Sequence, residues 1–210
     1  MKKIIKKLLI KPLRLLISRP SEVKTFKERI ANEKVLKLVL GAGNEYQTGW
    51  IPTEQRILDV TKEASWKTYL KENSIQVMLA EHVWEHLTET EAEKAAILCY
   101  KFLKPEGYIR IAVPDGYHQS QDYIDAVKPG GSGSGSHDHK VLYNYETICS
   151  QFENAGFKVE LLEYFDKQNN FQSTPWDIEK GLIRRSMRFD ERNSDGKPNY
   201  TSLIIDAIKF

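Results

Sequence analysis

Apolar residues recur along this chain in short runs separated by amphipathic stretches. VLKLVLGAGN (Val35–Asn44) runs into a glycine turn, SIQVMLA (Ser74–Ala80) is apolar almost throughout, and YIRIAVP (Tyr108–Pro114) alternates before turning wholly apolar. Runs of this kind read as strands buried on both faces of a parallel sheet. Helical patterns lie between and after them: Glu63–Lys71, a helix opened by the capping box Thr88-Glu89-Thr90-Glu91 and running to about Leu103, and Tyr145–Asn154, stopped at Ala155-Gly156. Trp50–Pro52 and Arg56–Leu58 are shorter apolar pieces, and FKVELLEYFD and Tyr200–Lys209 read as late strands. The alternation predicts a doubly wound, mainly parallel α/β sheet with helices on both faces, and the long final connection predicts an antiparallel last strand. Two excursions interrupt the pattern. The loop 115–140 contains GGSGSGSHDHK, which reads as an engineered linker or a natural flexible lid, the histidines on its far side favouring a lid. The polar insertion 167–198 carries Trp176 and the cluster Arg184, Arg185, Arg188 and Arg192, a solvated flap or part of an acceptor pocket.

Composition narrows the picture modestly. A chain of 210 residues, 40% hydrophobic, fits one domain with a sizeable core. The 31 basic and 29 acidic residues leave a net charge of +2, which gives no signal for a nucleic-acid partner. Charge is uneven, however: seven of the first 19 residues are basic and interrupt every apolar run. That excludes a membrane span there and predicts a basic amphipathic helical segment over residues 1–33, ahead of a domain over 34–210. Residues 1–19 are then either a peripheral foot on the anionic inner membrane surface or an ordinary helix packed on the domain. Cys99 and Cys149 fall in helical sequence and read as core residues of a protein in the reducing cytoplasm.

The densest chemistry is EHVWEHL, Glu81–Leu87, in which His82, Glu85 and His86 spell H-x-x-E-H. In a zinc peptidase that spacing places two histidines one helical turn apart, with the glutamate activating water. Such a site needs both histidines on one helix and a third ligand downstream. Here an apolar strand ends at Ala80, immediately before the motif, which disfavours zinc hydrolysis.

Taken in order, LVLGAG, GWIPTE, LDV, QVMLAEHVWEHL, FLKPEGYIRIAVPD and HKVLYNYETICSQFENAGFKVELLEY resemble the class I S-adenosylmethionine-dependent methyltransferases, over roughly Lys37–Lys209. Within that family the similarity is to a small branch associated with polysaccharide biosynthesis. The resemblance implies a Rossmann-like sheet, S-adenosylmethionine as cofactor, and methyl transfer to an oxygen or nitrogen of a small-molecule or saccharide-linked acceptor. It implies a cofactor turn at Gly41, Ala42 and Gly43, a ribose-binding carboxylate at Glu54, an adenine contact at Asp59, and a strand exit at Ala80, Glu81 and His82 beside the methyl group. It explains H-x-x-E-H without a metal.

Catalytic candidates are His82, with Asp115 and His118 in VPDGYH after the fifth strand and His139 across the lid; a loop histidine such as His118 suits proton removal from an acceptor. His118, His137 and His139 with Asp115 or Asp138 also admit a metal site, although His-x-His in a glycine-rich loop is a weak ligand signal, and no metal is expected. The chain departs from the family pattern at Val39, where an acidic residue is usual, and at Glu45, in place of a third glycine. Only six residues, Asn44–Gly49, separate the turn from Trp50, too few for the usual first crossover helix. These departures leave a second reading open: a non-catalytic protein that keeps the fold as a binding scaffold. A nicotinamide oxidoreductase is disfavoured because GAGNEY lacks the glycine needed beside a pyrophosphate.

Overall fold

The computed structural model describes residues 20–43 and 47–210. The basic segment 1–19, with its expected membrane contact, lies outside the described residues. Among the described residues no helix is long and apolar enough to cross a membrane.

Seven strands form one mixed sheet: β1 (Leu36–Val39), β2 (Ile51–Pro52), β3 (Ile75–Glu81), β4 (Leu103–Pro114), β5 (Lys158–Phe165), β6 (Phe171–Ser173) and β7 (Ser202–Ile208), in the order β2-β1-β3-β4-β7-β5-β6. Strands β2, β1, β3 and β4 run parallel, whereas β7 pairs antiparallel with both β4 and β5. This is the α/β, Rossmann-like architecture with an antiparallel last strand. The chain leaves β1 for β2 on one side and returns for β3 on the other, so a topological switch point opens beyond the carboxyl ends of β1 and β3, the place where open α/β sheets bind ligands.

Strand periodicity sorts the side chains. Leu38, Met78, Ile109, Ile111, Val113, Leu203 and Ile205 point to one face, which is covered by α1 (Pro20–Asn32), α2 (Glu63–Tyr69), α3 (Glu89–Phe102) and α5 (Tyr145–Asn154). α3 begins at the expected capping box, with Thr88 and Glu91 bonding each other's backbone amides. The remaining helix, α4 (Gln121–Val127), lies within the loop after β4.

The other face differs from the expected layering. Val39, Val77, Leu79, Ala112 and Ile204 are buried there with Ile183 and Trp50, and no α-helix of the described residues joins them. Residues 174–200 cross this face as irregular chain with short 3-10 turns. Such a segment cannot satisfy its own backbone, so the sheet does it. Arg110 on β4 is 1% exposed, forms a two-pronged pair with Asp206 of β7 at 2.7 and 2.8 Å, and donates to the carbonyls of Asp177 and Gly181. Glu163 accepts from Trp176 Nε1 and the Met187 amide, and Gln47 bonds both backbone groups of Leu182. The insertion therefore serves as the missing layer, and Trp176 packs against the Arg110 guanidinium at 4.9 Å.

Two strand expectations shift. The piece LDV, where the resemblance implies the third strand, is not a strand: the Ile57 and Leu58 amides both turn back to the Glu54 carbonyl, and the Asp59 side chain closes the next turn on Thr61. A short hairpin strand, β6, appears instead at the far edge, paired with β5.

Candidate active site

At the switch point the exits of β1, β2 and β3 are locked together by backbone. Ala42 donates to the Thr53 carbonyl, Thr53 returns both its amide and its hydroxyl to the Val39 carbonyl, and Leu40 donates to Leu79. Gly41 turns at φ +58°, and a Cβ there would stand 2.8 Å from Val83 Cγ2, so both the backbone angle and the close approach of the β3 exit require glycine. Besides the cleft directly over this knot, about 300 Å³ and lined by Gly41, Ala42, Gly43, Glu81, His82 and Arg185 among others, three cavities open around it.

The first, about 320 Å³, lies between the β2 exit and α1 and is lined by Gly43, Glu54, Arg56 and Phe26. Burial pushes the Glu54 carboxyl above its ordinary range, opposed by the Gly43 amide, and Glu54 Oε1 is buried with no hydrogen-bond partner. The second, about 340 Å³, holds Gly41, Asp59, Val60, Thr61, His82 and Val83. Asp59 there is already engaged: Oδ1 accepts from the Thr61 amide and hydroxyl, and Oδ2 faces Lys62 Nζ at 2.9 Å. Burial works to raise its carboxyl, but Thr61 and Lys62 outweigh it and hold the group low.

EHVWEHL resolves into three environments. Ala80 is buried in the sheet, and the Glu81 carboxylate accepts from the Arg184 and Arg185 amides at 3.2 and 2.8 Å, so it pins the insertion over the knot. His82 adopts φ +55°, a left-handed conformation that destabilises a non-glycine residue by roughly 1–2 kcal/mol. Strain of this kind persists only where surroundings over-determine it. Here the His82 amide donates to Ala112, Nδ1 lies 2.8 Å from Glu85 Oε1, and Nε2 lies 3.0 Å from Ser202 Oγ. Trp84–His86 is a 3-10 turn, and Glu85 is 1% exposed. Burial works to raise Glu85, but His82 and then His86 overcome it and hold the carboxyl below its ordinary range.

The loop after β4 is folded rather than extended. Ser132 and Gly133 donate to carbonyls of α4, and Ser136 Oγ bonds the Gly131 and Gly133 carbonyls at 2.7 Å each. A Cβ on Gly131 would meet the Ala126 carbonyl at 2.6 Å, so the glycines serve close packing. The far side of the loop returns to the site: Lys140 and Val141 donate to the Glu85 carbonyl, and the His139 ring stands edge-on to His86 at 4.8 Å. Burial lowers the His139 pKa. A third cavity, about 500 Å³, lies between this loop and the insertion, lined by His82, Glu85, His86, His139, Arg185, Arg192 and Tyr200 among others.

Of the sequence candidates, Gly41, Ala42, Gly43, Glu54, Asp59, Glu81, His82 and His139 meet around these cavities. Asp115 and His118 do not. Asp115 is fully buried and its two oxygens accept from the Tyr117 and Phe165 amides, bracing the turn after β4; burial pushes its carboxyl up to about 6. His118 is 3% exposed, stacks on Tyr123 at 3.9 Å, and uses both ring nitrogens on the Ser120 amide and Pro198 carbonyl. Nor do the three histidines weighed as metal ligands converge, since His118 is buried in these contacts while His137 is exposed. Sequence reasoning missed Ser202 and Tyr200, which arrive only with the antiparallel β7 and the end of the insertion, whereas Arg192 belongs to the cluster read as a solvated flap or part of an acceptor pocket.

No protein-family model matches the sequence, and no curated protein matches it. Solved structures do. An S-adenosylmethionine-dependent methyltransferase from Mesorhizobium loti superposes with a TM-score of 0.53 at 10% identity, over 83% of this chain and 91% of that one. Another, from Thermotoga maritima, gives 0.51 at 12% identity, over 100% of this chain and 95% of that one. At these identities the likeness is one of fold, and the fold is that of S-adenosylmethionine-dependent methyltransferases.

Proposed function

We propose that this protein is an S-adenosylmethionine-dependent methyltransferase acting on an oxygen or nitrogen of a small-molecule or saccharide-linked acceptor. The observation that carries the reading is Glu54: a buried carboxylate oxygen without a partner, beside the Gly43 amide, at the carboxyl edge of the parallel strands. A carboxylate offers two acceptors to a ribose diol, and burying one unsatisfied is unfavourable unless a ligand completes it. The residues present fit the cofactor. Gly41 and Gly43 would bring backbone close to it, Glu54 would hold the ribose, and the Asp59–Thr61 turn would border the adenine. The bound cofactor would supply an electrophilic methyl group on a sulfonium.

The chain's own task is then alignment and proton removal. His82 is oriented by Glu85 at Nδ1 and Ser202 at Nε2, and it faces both the cofactor side and the 500 Å³ cavity. Exchange of the Ser202 contact for an acceptor hydroxyl or amine would give His82 the departing proton. Arg185, Arg192 and Tyr200 make that cavity suited to a polar or anionic acceptor, which is what supports a saccharide-linked substrate. The scaffold reading requires a groove filled by side chains, and three open cavities argue against it.

Calorimetry with S-adenosylmethionine, S-adenosylhomocysteine and NADH tests the proposal. Expected are micromolar binding of the first two, none of the third, and at least a tenfold weakening in Glu54→Ala, corresponding to the loss of a charged hydrogen bond of about 1.5–3 kcal/mol. Absence of binding in protein shown to be folded by circular dichroism would overturn it.

A further inference from the structure

Glu85, His86 and His139 form the one group of three metal-type donors among the described residues: each offers a ligand atom, and all three atoms lie within 4.8 Å of one another. The three come from two segments, the strand exit and the far side of the loop, and the backbone bonds from Lys140 and Val141 to the Glu85 carbonyl hold those segments together. Two further features distinguish this group from a chance cluster. The Glu85 side chain is 1% exposed and meets His82 Nδ1 through Oε1 at 2.8 Å, whereas Oε2 is buried with no hydrogen-bond partner. Native proteins rarely leave such an oxygen unsatisfied, and with two histidines beside it a bound ion is a partner that fits.

His139 supplies the second feature. Its Nδ1 lies 2.6 Å from the Val127 carbonyl, which can only accept, so Nδ1 carries the hydrogen and Nε2 keeps its lone pair. A carbonyl that fixes the tautomer and leaves the other nitrogen basic is the usual outer contact of a metal-binding histidine. On the opposite flank His86 Nδ1 faces the Asp138 carboxylate at 3.5 Å, which orients its ring in the same sense.

We propose that Glu85, His86 and His139 bind a divalent first-row metal ion of the zinc class, closing the loop 115–140 onto the exit of β3. Two imidazole nitrogens and one carboxylate oxygen suit Zn²⁺ rather than Mg²⁺, which takes an all-oxygen shell. Three protein ligands leave a tetrahedral ion one position for water or for an acceptor oxygen in the adjoining 500 Å³ cavity. The ligand set is not that of the H-x-x-E-H peptidase motif. His82 is turned to Ser202, and the glutamate is a ligand rather than a base. The inference stands independently of the methyltransferase reading, because the three donors are assembled without any cofactor.

The test uses full-length, tag-free protein stripped with chelator. Zn²⁺ is titrated against a chromophoric chelator, and Co²⁺ is added separately to read the visible absorption of low-symmetry coordination. Expected are one tight equivalent of Zn²⁺, a Co²⁺ band, and a melting temperature raised by metal. His139→Ala and Glu85→Gln, checked for folding by circular dichroism, should each weaken binding at least 100-fold. His86→Ala, at a half-exposed position, guards against a fold defect in the buried variants and should do the same. His137→Ala should leave binding within twofold of the wild type. Absence of a stoichiometric site, or binding that survives His139→Ala and is lost in His137→Ala, would overturn the proposal.

Discussion

The second face of the sheet depends on a buried ion pair, and breaking it should have a large, localised effect. Arg110 is 1% exposed and the Asp206 side chain 13%, so both charges are largely withdrawn from water. Asp206→Asn leaves the guanidinium opposite one neutral acceptor. Loss of one partner of a buried pair destabilises by about 3–5 kcal/mol, and the residual exposure of Asp206 places the effect near the lower end, about 3 kcal/mol. With a urea slope of ~2 kcal/mol/M, the midpoint should fall by about 1.5 M. Replacing both partners, Arg110→Met with Asp206→Leu, removes the stranded charge and should be less damaging to global unfolding than Asp206→Asn alone. The double variant still loses the bonds to the Asp177 and Gly181 carbonyls, so limited proteolysis should accelerate within residues 174–186. The reasoning is refuted if Asp206→Asn destabilises by less than about 1 kcal/mol, or if the double variant unfolds as readily as the summed single variants.

Two further outcomes follow from named contacts. Asp115 is held at about 6 by burial, above its ordinary 3.8. The folded state therefore binds a proton that the unfolded chain has already lost, and stability should fall as pH rises from about 4 to about 6; Asp115→Asn should flatten that slope in pH-dependent urea unfolding, and an unchanged slope would count against the assignment. Thr88→Ala removes the reciprocal cap of α3 and should lower global stability by about 1 kcal/mol, read from the same unfolding curves, with Thr88→Ser restoring most of it.

The order of elements was legible because each is set locally. Apolar runs such as SIQVMLA can only be satisfied between two layers, and the capping residues of α3 and α5 bond within one turn of chain. The position of Gly41, Gly43, Glu54 and His82 at the switch point was legible for the same reason: strand exits there are fixed by strand order, and the resemblance supplied that order. What the sequence alone could not decide is everything that depends on which distant segment fills a space. LDV is implied as a strand by the resemblance but curls, because Glu54 and Asp59 capture the nearby amides. Asp115 and His118 look like site residues in VPDGYH, yet their polar atoms are spent on the Tyr117, Phe165 and Ser120 amides. The insertion 167–198 reads as a solvated flap or part of an acceptor pocket because its residues are polar; only the tertiary structure pairs Arg110 with Asp206 and turns that segment into the second layer of the sheet. The convergence of Glu85, His86 and His139 is likewise a tertiary fact, since some fifty residues separate His86 from His139, and it takes a folded loop, not a spacing, to bring their donor atoms within 4.8 Å.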